Sequence, residues 1–182
     1  MTGRWQMIAA LTLCVALFSV NWTVLNVAQS TIFLDLGLTQ LADILLTYAY
    51  PAGLLAVLIP IKGRLGTLLW GMAGFGLATA AGALAVNGEM LIACRFAQGL
   101  AAAVVLRAGY ELAKVHFRDT TWWPAVAIPA VVAALGLTAG PVLGVIITEF
   151  LSFRWIFLVA VPPTVVALVT VGLLTPRGRP AP

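Results

Sequence analysis

Apolar residues in this chain come in six long runs separated by short connections that contain charged residues. Each run is close to the ~20 residues with which an α-helix crosses a ~30 Å hydrocarbon core. Backbone polar groups inside a bilayer must be hydrogen-bonded within the chain, so each run predicts a transmembrane helix. The pattern predicts an all-α fold, a polytopic membrane helical bundle forming one domain over residues 1–182. The six predicted spans are residues 7–28, 41–59, 65–86, 90–114, 122–148 and 155–174.

The composition supports a membrane protein and excludes a soluble domain. Hydrophobic residues make up 62% of the 182 residues and charged residues 9%, and the mean hydropathy is +1.07. A soluble domain with this balance would have a largely apolar surface. The net charge of +4 does not indicate a nucleic-acid partner, because the basic residues lie in short connections between spans. The lipid bilayer is the predicted partner.

The distribution of lysine and arginine predicts the orientation. Seven of the ten basic residues occupy the termini and alternate connections: Arg4, Lys62, Arg64, Lys114, Arg118, Arg177 and Arg179. The other connections contain Asp35, Glu89, and Glu149 with Arg154. Because positive residues concentrate on the cytoplasmic side of membrane proteins, both termini are predicted to be cytoplasmic. The predicted location is the plasma (inner) membrane.

The fifth span contains a stretch that predicts close helix packing. Gly136, Gly140 and Gly144 recur every four residues and therefore lie on one helical face, where another backbone can approach closely. Pro141 removes a backbone donor and favours a bend at the same level. The stretch is predicted to serve as a hinge and a packing face.

Three charged residues fall inside the fourth span, where an ionised side chain costs at least ~2.5–3.5 kcal/mol. Arg107 and Glu111 are four residues apart, and they are predicted either to pair or to extend their long side chains to the inner interface. Arg95 is expected to have no partner in its own helix. It has two interpretations: its side chain extends to the outer headgroups, or it is buried and takes part in ion or substrate coupling. Asp43, at the outer start of the second span, is either a helix-start carboxylate or a proton site.

No pattern in the sequence indicates catalysis or a bound cofactor. Metal-ligand spacing, a nucleophile with a neighbouring base and a phosphate-binding loop are all missing from the sequence. Cys14 and Cys94 lie in apolar runs and are predicted to be packing thiols. We therefore expect no enzyme activity, no metal and no cofactor.

Several stretches resemble a known transporter family. The chain is similar to the amino-terminal six spans of the major facilitator superfamily, in particular multidrug:proton antiporters with fourteen spans. The matching stretches are Thr23–Ala28 with Asp35–Gly37, the pair Gly63 and Arg64, Arg95–Gly99, the GxxxGPxxG motif at Gly136–Gly144, and Arg154–Phe157 with Pro162. Asn21 stands where the family usually has an aspartate, and Ala56 and Pro60 stand where its inner loop has a glycine and an aspartate.

The resemblance implies half of a transporter that expels small amphipathic molecules against proton entry. The predicted substrate or proton path comprises Arg95, Gln98, Asn21, Asn26 and Asp43, and the predicted gating loop comprises Gly63 and Arg64. The two bundles of such a transporter are related by an axis along the membrane normal, which a parallel homodimer reproduces. In this hypothesis the glycine face of the fifth span contributes to the dimer interface.

Two other hypotheses remain open from the sequence. Asn21 and Pro60 replace acids that coupled transport normally uses, which favours a non-transporting subunit or regulator of another membrane protein. The third hypothesis is a truncated or decayed reading frame.

Overall fold

The computed structural model describes residues 2–116 and 123–174, and within these ranges the chain forms helices joined by short connections, without a β-strand. Six of the helices are long and apolar enough to cross a membrane. The helices are α1 (Thr2–Asp35), α2 (Gln40–Leu54), α3 (Leu65–Ala83), α4 (Gly88–His116), α5 (Trp123–Phe150) and α6 (Arg154–Leu174), and α2 reaches this length together with the 3-10 segment Leu55–Leu58. The predicted all-α membrane fold is confirmed.

The first two helices end at different places from those predicted. Helix α1 continues seven residues beyond residue 28, until Gly37 adopts a φ of +56° and the Leu38 amide donates to the Phe33 carbonyl at 3.0 Å. A left-handed glycine after the last turn is a common way to end a helix. Helix α2 stops at Leu54, earlier than predicted, and a 3-10 segment follows at Leu55–Leu58. Hydropathy marks the bilayer-spanning part of a helix but not its ends.

The helices form an open ring. The order of neighbours is α2, α4, α3, α6, α1 and α5, and α1 and α4 also touch each other across the middle. Helices α2 and α5 therefore lie at the two ends of this order and flank one side of the bundle. The site described below lies on that side.

Helices α2 and α4 cross with their backbones in direct contact at two glycines. A Cβ atom on Gly53 would meet the Phe96 carbonyl, and one on Gly99 would meet the Tyr50 carbonyl. Burial of apolar surface gives little drive to helix association inside a bilayer, because lipid tails are as apolar as the helices. Close contact at small residues supplies the packing energy instead. This crossing fixes Tyr50 against α4.

The glycine face of α5 packs on α1 and not on a second copy of the chain. Each glycine has its own neighbour on α1: Gly136 lies at Ser19, Gly140 at Thr23, and Gly144 at Val24 and Val27. The Thr23 hydroxyl also donates to the Gly136 carbonyl at 3.3 Å. The predicted close approach of another backbone to this face is present, and that backbone is α1 of the same chain. The predicted contribution of the face to a dimer interface was wrong, because α1 fills the space that such an interface would need. Helix α5 continues through Pro141, whose action as a hinge stays a prediction.

The connection between α2 and α3 rests on the end of α4. A Cβ atom on Gly63 would lie 2.5 Å from the Glu111 Cβ and 2.9 Å from the Glu111 carbonyl carbon. Glu111 accepts two cations, Arg107 at 3.3 Å and Lys114 at 2.9 Å, which confirms the predicted pair and extends it. Arg64 is exposed and forms no ion pair within residues 2–116 and 123–174. Of the residues in the orientation argument, Arg118, Arg177 and Arg179 lie outside the described residues, and the orientation stays a prediction.

Replacing Gly63 with valine should loosen this connection. The added side chain collides with the Glu111 backbone, which cannot rotate away. We expect amide hydrogen exchange in residues 59–64 to become about tenfold faster, because local opening costs less. Gly66→Val is the matched control, since no atom lies within 4 Å of a Cβ at Gly66. Equal exchange rates in the two variants would show that the Gly63 contact does not hold the connection in place.

Candidate functional site

Arg95 is the best candidate for a functional residue because it is a charged side chain buried within the bundle. Its residue is 1% exposed, although it lies on a helix that crosses the membrane. Its Nη1 atom donates to the Asn21 Oδ1 at 2.7 Å and to the Gln98 Oε1 at 2.9 Å. This burial excludes the interpretation in which Arg95 extends to the outer headgroups. The expectation that Arg95 has no partner in its own helix was wrong, because Gln98 on α4 accepts one of its hydrogen bonds.

The hydrogen bonds around Arg95 connect three helices. Gln98 donates from its Nε2 to the Thr79 Oγ1 at 2.8 Å, and Thr79 donates in turn to the Phe75 carbonyl at 2.7 Å. Asn21 from α1, Arg95 and Gln98 from α4 and Thr79 from α3 therefore form one chain of contacts. We call these four residues the buried polar network. Each member is at most 4% exposed.

The network is satisfied only in part. The Arg95 Nε and the Asn21 Nδ2 are buried and have no hydrogen-bond partner. Within residues 2–116 and 123–174, no carboxylate oxygen lies within 4 Å of the Arg95 guanidinium. An arginine in a low-dielectric environment normally has an anionic partner, because an isolated charge there is costly. Buried donors without partners are exceptions in folded proteins, and a functional role is one of their recognised explanations.

Two aromatic rings cover the guanidinium. The Arg95 Cζ lies 4.8 Å from the Tyr50 ring centroid and 6.0 Å from that of Trp22. The two rings are 5.3 Å apart and tilted by 37°. The negative faces of aromatic rings attract a cation at such distances, by up to about 2 kcal/mol where water is excluded. The rings therefore replace part of the stabilisation that a carboxylate would provide.

The same two rings line a cavity of about 260 Å³ that is open on one side. The cavity lies near the middle of α1, on the side of the bundle that α2 and α5 flank. Its wall is mostly apolar and includes Phe18, Trp22, Tyr50, Leu54, Leu106 and Leu137. Small-molecule sites are typically concave, apolar and aromatic, with a few polar groups. The cavity and the buried polar network thus share a wall formed by Trp22 and Tyr50.

The predicted path residues fall into two groups. Asn21, Arg95 and Gln98 come together in the buried polar network. Asn26 is exposed and donates to the Trp22 carbonyl of its own helix at 2.9 Å, away from the network. Asp43 lies apart as well, and its Oδ1 accepts from the Gln29 Nε2 at 2.8 Å. The roles of all five in a transport path stay predictions.

Three residues of the site were not predicted from the sequence: Trp22, Tyr50 and Thr79. Aromatic residues and threonines are ordinary in apolar spans, and their spacing gives no hint of an arginine on another helix. The only available signal was the presence of Arg95 itself, since a buried cation needs aromatic faces or acceptors nearby. Within the part of the chain that the structure describes, no three His, Cys, Asp or Glu residues are grouped so that they could hold a metal ion. Cys14 and Cys94 are buried and unbridged.

Comparisons with known proteins agree with this architecture. The model of the Major Facilitator Superfamily matches residues 11–182. The chain is 35% identical to the lincomycin resistance protein of Streptomyces lincolnensis, over 96% of the chain and 37% of that relative. It is 30% identical to the multidrug efflux pump LfrA of Mycolicibacterium smegmatis, over 98% of the chain and 37% of the pump.

A third relative is the probable actinorhodin transporter of Streptomyces coelicolor, 32% identical over 97% of the chain and 32% of that relative. The chain therefore spans about a third of the length of these relatives, and it matches them along almost its whole sequence. The family match covers all six described helices, except for the first residues of α1. From this match and the six-helix architecture, we conclude that the chain belongs to the major facilitator superfamily.

Proposed function

We propose that the chain forms one half of a secondary transporter that expels small amphipathic molecules, and that it works with a second six-helix bundle. The observation that carries the proposal is the cavity between α2 and α5, whose aromatic wall covers a buried arginine. A cavity halfway across a membrane bundle is where substrates of this class of transporter bind. The names of the relatives, an efflux pump, a resistance protein and a probable transporter, support export.

The partner that we propose is a second copy of the chain in a parallel homodimer. The open side of the cavity needs a second wall if a substrate is to be enclosed. Helices α2 and α5 flank that side. Both helices expose large apolar residues, including Leu45, Tyr48, Leu137 and Ile146. A two-fold axis along the membrane normal would bring two such sides together. The dimer interface would then involve α2 and α5 but not the glycine face, which α1 covers.

We further propose that export is coupled to proton entry, with Arg95 in the substrate or proton path. Within the described residues, Arg95 is hydrogen-bonded to neutral side chains and forms no ion pair. A proton or a charged ligand that comes near therefore interacts with a guanidinium that no carboxylate neutralises. Rocking of the two bundles about the cavity would expose it to one side of the membrane and then to the other.

Purified chain in liposomes tests these proposals. With a pH gradient across the membrane, we expect proton-linked movement of an amphipathic dye, and Arg95→Ala should abolish it. Arg107→Ala is the matched control, because Arg107 lies on the same helix and is paired with Glu111. Each variant is first checked by size-exclusion chromatography for a folded particle. Dye movement that is identical for the normal chain and Arg95→Ala would contradict the role of Arg95.

The mass of the particle in native lipid tests the homodimer. A mass of two chains, and co-purification of two differently tagged copies, are the expected results. A single chain per particle would contradict the homodimer.

A non-transporting subunit is the second candidate function. One observation favours it: Asn21 is neutral beside Arg95, so the described part of the network contains no acid to carry a proton. This alternative predicts no dye movement and a stable complex with a different membrane protein.

A further inference from the structure

The buried polar network places an uncompensated positive charge behind the wall of the cavity. Asn21 and Gln98 offer neutral oxygens to Arg95, and within the described ranges no acidic oxygen lies within 4 Å of it. Neutral acceptors lower the energy of the guanidinium but leave its net charge in place. The Nε atom is also buried without a partner, so the donor capacity of Arg95 is not exhausted. The site as a whole is therefore positive.

The cavity contains nothing that cancels this charge. None of its lining residues is acidic, and Ser19 is the polar member of an otherwise apolar and aromatic wall. The Tyr50 and Trp22 rings line the cavity and also lie against the guanidinium, whose Cζ is 4.8 Å from the Tyr50 ring centroid and 6.0 Å from that of Trp22. Asp43 is hydrogen-bonded to Gln29 and does not line this cavity. A ligand in the cavity is therefore exposed to the field of Arg95.

We propose that this cavity binds planar aromatic anions in preference to aromatic cations of the same size. This inference rests on the proposed function and adds the charge class of the substrate. The Trp22 and Tyr50 rings provide a surface for stacking or edge contacts with an aromatic ligand. At an effective dielectric constant of about 20, unit charges about 8 Å apart interact strongly enough to change a dissociation constant by roughly tenfold or more. Burial keeps salt from screening this interaction as it would at a surface.

The test uses three ligands that share one ring system and differ in charge. Naphthalene-2-sulfonate is the anion, 2-naphthalenemethanol the neutral compound and 2-naphthylmethylammonium the cation. Binding to the full chain is measured by equilibrium dialysis in nanodiscs of zwitterionic phosphatidylcholine, so that the lipid surface does not select for charge. We expect the anion to bind about tenfold or more tightly than the cation, with the neutral compound between them.

Asn21→Asp provides the decisive variant. It introduces a carboxylate where the Asn21 Oδ1 now lies 2.7 Å from the Arg95 Nη1, and it replaces the unpartnered Asn21 amide. The new ion pair neutralises the site with almost no change in side-chain volume. We expect the preference for the anion to disappear, through a loss of about tenfold in anion affinity.

Asn87→Asp is the matched control for this variant. Asn87 is exposed, and its Oδ1 accepts from the Met90 amide at 2.8 Å at the start of α4, a role that aspartate performs equally well. This control should keep the anion preference of the normal chain.

The possible results separate this inference from the proposed function. Equal or tighter binding of the cation by the normal chain would overturn the charge preference and leave export of other molecules in place. An anion preference that persists in Asn21→Asp would overturn the assignment of the preference to Arg95. Failure of all three ligands to bind would overturn both this inference and the proposed substrate cavity.

Discussion

Gly99→Val is expected to separate α2 from α4 and to lower the free energy of unfolding by about 3 kcal/mol or more. A Cβ atom at Gly99 would collide with the Tyr50 carbonyl and lie 3.0 Å from both the Gly53 Cα and the Leu54 amide nitrogen. All three contacts are backbone atoms, which cannot change rotamer to make room. The helices must move apart along the crossing, and their small-residue contacts are lost together.

The measurement is the unfolding midpoint of the purified protein in a titration with denaturing detergent. Gly66→Val is a control of identical chemistry, because a Cβ at Gly66 meets no atom within 4 Å. Since Tyr50 forms part of the cavity wall, Gly99→Val should also weaken binding of aromatic ligands. Midpoints that agree for the two variants would show that the α2–α4 crossing tolerates an added side chain, contrary to the structure.

The second large effect is expected for Asn21→Leu, which removes an acceptor from Arg95. Contacts between polar side chains of membrane helices average only about 0.6 kcal/mol, because the separated helices find other partners. Arg95 is different, since it is ionised and its residue is 1% exposed, so it cannot reach water or headgroups without opening the bundle. Hydrogen bonds to charged groups contribute about 1.5–3 kcal/mol, and we expect a loss near the upper end of that range.

Asn26→Leu on the same helix is the comparison for this loss. The Asn26 side chain is exposed and donates to the carbonyl of Trp22 within α1, so its removal should change the unfolding midpoint little. Asn21→Asp should have the opposite effect from Asn21→Leu and raise the midpoint, because a carboxylate completes the partners of Arg95. If Asn21→Leu and Asn26→Leu were equally stable, the buried polar network would contribute nothing to the fold.

The glycine contacts show which features of helix packing can be predicted from the sequence and which cannot. The spacing of Gly136, Gly140 and Gly144 correctly predicted a surface for close helix packing, because side-chain size and helical period depend only on local sequence. The predicted contribution of that surface to a dimer interface was wrong. Which helix fills a groove depends on how all six helices arrange themselves, and α1 occupies this one. The contact between Gly53 and Gly99 could not be predicted for the same reason, since nothing in their positions in the sequence indicates that they face each other.

Site residues that lie on one helix could be predicted together from the sequence, whereas those that lie on different helices could not. Arg95 and Gln98 are three residues apart on one helix, so their common face follows from helical geometry. Asn21, Tyr50 and Thr79 come from three other helices. Asn21 and Tyr50 meet Arg95, and Thr79 meets Gln98, only through the register of one helix against another. Asp43 was predicted in the same path as Arg95, but it is hydrogen-bonded to Gln29 and is not a member of the buried polar network.

The sequence by itself determined that this protein is a bundle of membrane-spanning helices, because hydrocarbon forces every apolar run of sufficient length to satisfy its own backbone. It also determined that Arg95 requires partners, since an ionised group in that environment is costly alone. Only the tertiary structure decided which groups those partners are. The contacts across the bundle depend on the relative rotation and depth of the helices, and these follow from the packing of many small residues at once and not from any single segment.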